Sequence, residues 1–320
     1  MKKLSAKSSK SDAFYLKRGD IIDIVAPASA CSEENLKLGV KWIESLGFKP
    51  RYSPHILQPD LYLSNSDEFR FQDLKKALYA KDSKAIWCLR GGYGSFRLWP
   101  QMLKLTKKAP PKLMIGLSDI TSMHQFLNQK WQWPSLHASL LDRVGQNKLP
   151  AANEKELVDV ITGQIDAVEF LNLTPMNDLA LKKKVIKGTV QGGNLCTYMV
   201  SVGTKLQPKY KKKDKTILFF EDIGERGYKV DRFLQHLNQA GVFDQVAAIV
   251  FGDFVDGLEV SGQSLVHETL ARFAKQCKIP VFSGVETGHG VIQRPLFFNT
   301  TAMLACGKNP NMIVYSAYAP

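Results

Sequence analysis

Three short segments carry residues that could run acyl-transfer chemistry. The first is Gly116-Leu117-Ser118-Asp119, where a serine follows the apolar run KLMIG and opens the helical pattern DITSMHQFL. A serine at a sharp strand-to-helix turn exposes its hydroxyl, and the next backbone N–H, that of Asp119, can help hold an oxyanion. The match to a GxSxG elbow is partial, because Asp119-Ile120 occupies the place of its second glycine. A blander role stays open, in which Ser118 only N-caps the helix and Asp119 favours its first turn. The second segment is Arg90-Gly91-Gly92-Tyr93-Gly94-Ser95, directly after the strand-like AIWCL. Paired glycines let a backbone approach a ligand and present N–H groups, as an oxyanion-hole loop or an anion cradle does. It is neither a Walker A sequence nor a GxGxxG fingerprint, and a plain tight turn is the alternative.

The third is Glu221-Asp222, at the end of TILFF. A carboxylate leaving the C-terminal end of a buried strand sits where open α/β sheets place their ligands, and it could orient a histidine and stabilise its imidazolium. Capping the next segment would explain it equally. Among six histidines, His289 stands out, flanked by glycines in Thr287-Gly288-His289-Gly290 after an apolar strand. His137, in SLHASL, is the second choice and reads rather as packed structure. His124 and His236 lie in helical patterns, and His55 and His267 in polar surroundings. With no HExxH and no HxE…CxxC arrangement, a catalytic metal has little support and no cofactor is expected.

These segments need strands and helices to bring them together. In the first half DIIDIVAPAS, AIWCL and KLMIGL read as strands. SEENLKLGVKWIESLG has apolar residues at Leu36, Val40, Ile43 and Leu46, which predicts a helix with Ser32 as N-cap and Gly47 beyond its end. Such alternation argues a parallel sheet with helices on its faces. The texture turns polar and less periodic between about Gln146 and Lys187, where NLTPMNDLALKKK reads as a connection. Strands and helices then resume with VIKGTVQGGNL, TILFFED, VDRFLQHLNQAG, VAAIVFGDF, HETLARFAKQC and PVFSGVETGHG. The expectation is two α/β domains, over 14–165 and 185–320, with a linker over 166–184.

Composition narrows the class. The chain has 320 residues, enough for two domains with their own cores, and no apolar run long enough to span a membrane. The lysine-rich N-terminus lacks the apolar stretch of a signal peptide. Five scattered cysteines form no CxxC pair and read as reduced thiols, so a cytoplasmic address is expected. The formal net charge of +13 comes largely from short lysine runs at 182–184, at 211–213 and in the N-terminal tail. No zinc finger, RNP motif or aromatic-interleaved basic stripe accompanies it, so solvated lysines are expected rather than a nucleic-acid partner.

Taken in order, GDIIDIVAPAS, RGGYG, GLSDIT, GTVQGGNL, FFEDIGERGYKVDR and TGHG resemble the LD-carboxypeptidase (muramoyltetrapeptide carboxypeptidase) family, serine peptidase family S66. The resemblance runs from about Gly19 over nearly the whole chain. It implies a flavodoxin-like or Rossmann-like N-terminal domain holding the nucleophile and a swivelling β/β/α-like C-terminal domain holding the acid and base. It also implies a Ser–Glu–His triad of Ser118, Glu221 and His289, with an oxyanion hole from the N–H groups of Asp119 and Gly92. Arg90, Gly91, Tyr93 and Ser95 are then expected to bind substrate, with Arg90, Ser95 and the loop amides nearest to a terminal carboxylate. The implied substrate is a murein tetrapeptide losing its terminal D-Ala, handled by a cytoplasmic homodimer. A second branch of the family cleaves an amide of peptide–nucleotide antibiotics, although it tends to carry extra sequence between serine and glutamate. From a different class, a non-catalytic binder of anionic ligands would also use the glycine loop. The chain departs from the family at His137-Ala138-Ser139 and Pro295-Leu296-Phe297, segments that could line the pocket.

Overall fold

The computed structural model describes residues 15–316, so the lysines of the N-terminal tail lie outside the described residues. Five strands, β1 (Ile21–Val25), β2 (Lys49–Arg51), β3 (Ser83–Cys88), β4 (Leu113–Gly116) and β5 (Ser135–His137), pair in parallel in the order β2-β1-β3-β4-β5. That is the flavodoxin order rather than the Rossmann one. Runs such as IIDIV and LMIG are nearly all apolar because helices cover both faces of a parallel sheet. Asp23 interrupts one of them, and its buried carboxylate takes the Arg51 Nε at 2.6 Å. The helix Glu33–Ser45 starts where the sequence predicts, with Ser32 Oγ accepting from Asn35 N–H at 3.2 Å.

The second sheet is mixed. Its strands are β6 (Ala167–Phe170), β7 (Thr174–Pro175), β8 (Lys184–Asn194), β9 (Thr216–Ile223), β10 (Ala248–Val255), β11 (Val281–Ser283), β13 (Thr301–Cys306) and β14 (Asn311–Tyr315). They run β6-β14-β13-β8-β9-β10-β11-β7, parallel from β8 to β11 and antiparallel on both flanks. Residues 166–184, read from the sequence as a linker, supply both edges of this sheet. Strands of four and two residues, one ending in proline, are too short to show a period, and edge positions tolerate polar residues.

One strand crosses over. β12 (Leu296–Phe298) follows the His289 loop but joins the first sheet, antiparallel to β5, with Leu296 opposite His137 and Phe298 opposite Ser135. Leu296, Phe297 and Phe298 are all buried, each contributing about 1.5–3 kcal/mol of hydrophobic stabilisation. One of the apolar clusters accordingly runs from Ile22, Trp87 and Ile115 through Phe298 to Phe219 and Val250. Phe297 therefore departs from the family pattern inside a sheet, and Ala138 and Ser139 do so in the core, rather than in a pocket wall.

Candidate active site

Ser118 lies two residues past β4, with a φ of +65°. A residue with a Cβ holds that left-handed conformation at a cost of about 1–2 kcal/mol. Ser118 opens a tight turn, Ser118–Ile120, that leads into the helix Thr121–Phe126, and its side chain caps neither. The capping alternative is thus not the one used; the bend instead lifts the hydroxyl off the strand end, as a nucleophile elbow does. The turn is pinned from both sides. Asp119 accepts from Ser95 N–H at 2.8 Å while Ser95 Oγ donates to the Asp119 carbonyl at 2.6 Å. Across the molecule, Thr121 Oγ1 accepts from Asn194 N–H, at the end of β8, at 2.9 Å. Burial raises the Asp119 carboxyl above its ordinary value, and the Ser95 donors act against that rise.

The glycine loop leaves the end of β3, next to β4, and comes against Ser118. A Cβ on Gly91 would lie 2.9 Å from Ser118 Cβ and 3.1 Å from its Oγ, so only glycine permits this approach. Ser29 fixes the loop, donating its N–H to the Gly91 carbonyl at 3.1 Å and accepting Tyr93 N–H on its Oγ at 3.1 Å. Beneath it, the buried Arg70 guanidinium donates to the carbonyls of Gly94 at 3.0 Å, Asn65 at 3.1 Å and Pro27, and pairs with Asp67. Gly91, Gly92 and Arg90 line the cleft. Two loop residues expected at the substrate do not. Ser95 is fully buried, its hydroxyl spent on Asp119 and Ser122, and Tyr93 packs edge-on to Tyr62 and Phe96 at 5.4 and 5.6 Å.

Glu221 is the sixth residue of β9, fully buried, with Oε2 at 2.6 Å from His289 Nδ1. Its neighbour Asp222 points to the other face of the strand and serves a different end, accepting from Asn194 Nδ2 and Cys196 N–H, both at 2.9 Å. Gly288 makes the contact possible: at φ +137°, a Cβ there would sit 3.0 Å from Glu221 Cβ. With Nδ1 committed to the carboxylate, His289 keeps Nε2 for the cleft. Burial lowers the affinity of this ring for a proton, but the charge and hydrogen bond of Glu221 outweigh it and the net direction is upward. Acids crowd this corner. Burial, followed by the charge of Glu221, pushes Asp222 up to about 7 and Asp253 up to about 6.

Ser118 and His289 line one cleft of about 310 Å³, together with Arg90, Arg143 and Gln293. It opens where the first sheet meets the second, because β12 ties the His289 loop to the sheet that carries Ser118. Larger hollows lie around Lys130, Lys205 and Lys209, around Gln235 and Lys278 and around Tyr228 and Arg272, and none of them sets a serine or cysteine beside a histidine. His137 is buried between Phe219 and Phe298, its proton affinity driven well down by burial, and does not reach the cleft. Arg143, Gln293 and Arg70 escaped the sequence reading. Each acts through partners distant in sequence, as when Arg143 Nη2 donates to the Gly290 carbonyl at 3.1 Å, and no local pattern marks that. Among the described residues no group of three or more His, Cys, Asp or Glu is placed to hold a metal ion.

A strained serine beside a glycine loop, with a histidine held by a buried carboxylate in the same cleft, is the constellation of a serine hydrolase. Residues 22–138 match the LD-carboxypeptidase N-terminal domain and residues 187–304 the LD-carboxypeptidase C-terminal domain; the chain belongs to this family, peptidase S66. It is 36% identical to a putative carboxypeptidase of Rickettsia conorii, covering 92% of this chain and 90% of that one. It is 27% identical to the murein tetrapeptide carboxypeptidase of Pseudomonas aeruginosa, over 88% of this chain and 92% of that one. The muramoyltetrapeptide carboxypeptidase of Oxalobacter formigenes superimposes with a TM-score of 0.79 at 24% identity, covering 93% of this chain and all of that one. A microcin C7 self-immunity protein in complex with adenosine monophosphate also reaches 0.79, at 20% identity over 96% of this chain and 99% of that one. The two likenesses establish a shared fold and do not separate the two activities.

Proposed function

We propose that the protein is a serine LD-carboxypeptidase that releases terminal D-Ala from murein tetrapeptide. The observation that carries this reading is the Glu221–His289 pair at 2.6 Å in the cleft that also holds the strained Ser118. His289 Nε2 takes the Ser118 proton as Oγ attacks the carbonyl of the penultimate residue. The Gly92 and Asp119 N–H groups receive the developing negative charge. Glu221 holds the ring tautomer and stabilises the imidazolium, which then gives its proton to the leaving amine of D-Ala. Water, deprotonated by the same ring, hydrolyses the acyl-enzyme and restores Ser118. All five cysteines are free thiols, which suits a reducing compartment and hence recycling of murein peptides in the cytoplasm, where family resemblance suggests a homodimer.

Mass analysis of products tests the reading. Incubated separately with free murein tetrapeptide and with aspartyl sulfamoyl adenosine, the enzyme should convert the first to tripeptide plus D-Ala and leave the second intact. Hydrolysis of the sulfamoyl adenosine alone would place the protein with the self-immunity branch, and turnover of neither would leave a binder of anionic ligands.

A further inference from the structure

Around the His289 loop, four polar atoms are buried without a hydrogen-bond partner: both amide atoms of Gln293, Nε of Arg143 and Oε1 of Glu221. The last belongs to the proposed triad. The other three have no role in it. Gln293 is only 2% exposed, sits four residues past His289 and lines the cleft with Ser118 and Arg143. Arg143 is tied to the same loop through the Gly290 carbonyl. Folded proteins rarely leave buried amide and guanidinium groups unpaired, since nothing then repays their desolvation. On a cleft wall, the unpaired donors Gln293 Nε2 and Arg143 Nε point to a ligand that accepts from them.

Their chemistry specifies that ligand. A guanidinium and a carboxamide together offer several N–H donors to one planar acceptor, which suits a carboxylate. The lining agrees, with Arg90, Arg143 and Lys148 against the single carboxylate of Asp142. Position assigns the side of the scissile bond. His289 must protonate the leaving amine, so the leaving residue lies next to the loop that carries His289. Arg90 adjoins the glycine loop beside Ser118 instead. We propose that Arg143 and Gln293 form the pocket for the free carboxylate of the leaving amino acid, in place of the Arg90 and Ser95 donors expected from sequence. This rests on the carboxypeptidase reading above.

The test compares tetrapeptide with its C-terminal amide in wild type, Arg143→Met and Gln293→Glu. Wild type should favour the free acid by about 100-fold or more in kcat/KM, because a site built to bind a group rejects the analogue lacking it. Both variants should lose most of that preference, because they slow turnover of the acid far more than turnover of the amide. Gln293→Glu is close to isosteric, so it remains informative if Arg143→Met folds poorly. An equal loss on acid and amide would make the pair purely structural and overturn the assignment, as would an unchanged preference. A second readout needs no turnover: N-acetyl-D-alanine should bind wild type, by NMR titration, more tightly than N-acetyl-D-alaninamide, and Arg143→Met should abolish the difference. If wild type fails to cleave tetrapeptide, the proposed function falls while this titration still decides the pocket; equal binding of acid and amide to wild type would refute it.

Discussion

Ser118 holds a backbone conformation that its own side chain disfavours, and this separates its effect on stability from its effect on activity. Ser118→Gly removes the Cβ that makes φ +65° costly. The variant should therefore be more stable than wild type by about 1 kcal/mol in denaturant unfolding, and inactive. A loss of stability would mean that the serine is held by contacts rather than imposed against strain. The base gives a prediction in pH. Glu221 raises the proton affinity of His289 despite its burial, so kcat/KM should climb through one ionisation above the ordinary histidine value of about 6.5. Below that pH the ring is protonated and cannot accept the serine proton. Glu221→Gln should move the inflection down and cut kcat by roughly 10³-fold or more, because the amide neither stabilises the imidazolium nor enforces the tautomer. Stopped assays across pH 5–9 would read both effects.

At the scale of elements, the proposed nucleophile, acid and base were legible because each follows an apolar, strand-like run and carries a local signature. Ser118 follows KLMIG, Glu221 ends TILFF, and His289 lies between two glycines. What holds them was not legible. Arg70 falls on the helix Asp67–Tyr79 and reads as one more surface charge, yet it is 2% exposed and clamps three backbone carbonyls under the glycine loop. Arg70→Met should cost about 3 kcal/mol or more in urea unfolding, since those carbonyls would be left buried and unpaired. A loss under 1 kcal/mol would show that the loop is held from elsewhere. The path of β12 was equally hidden, because three apolar residues fit either sheet and the pairing with β5 spans more than 150 positions. Residues 166–184 misled for the opposite reason, being sheet edges with the polarity of a loop.

Over the whole molecule, lysines 182–184 and 211–213 are exposed and sit apart from the cleft. The acids behind His289 have the larger consequence. Asp253, raised to about 6, and Asp222, raised to about 7, bind protons more tightly folded than unfolded. Their contribution to stability is therefore full at low pH and is lost as pH rises from about 4 through the folded values. His289, also raised, contributes with the same sign. Stability should fall over the range in which activity rises. Asp253→Asn keeps an acceptor near Gly290 but cannot ionise, so its stability relative to wild type should improve between about pH 4 and 7, by about 1 kcal/mol for a partly buried group. Thermal melts of both proteins across that range would show a flat difference if Asp253 does not titrate there.

The most direct test of the account is the rate of D-Ala release from murein tetrapeptide by wild type and by Ser118→Ala, with folding of both verified by thermal melts. Since the serine hydroxyl is the attacking group, the variant should retain its fold and lose about 10³-fold or more in kcat. A well-folded Ser118→Ala enzyme releasing D-Ala within tenfold of the wild-type rate would contradict it.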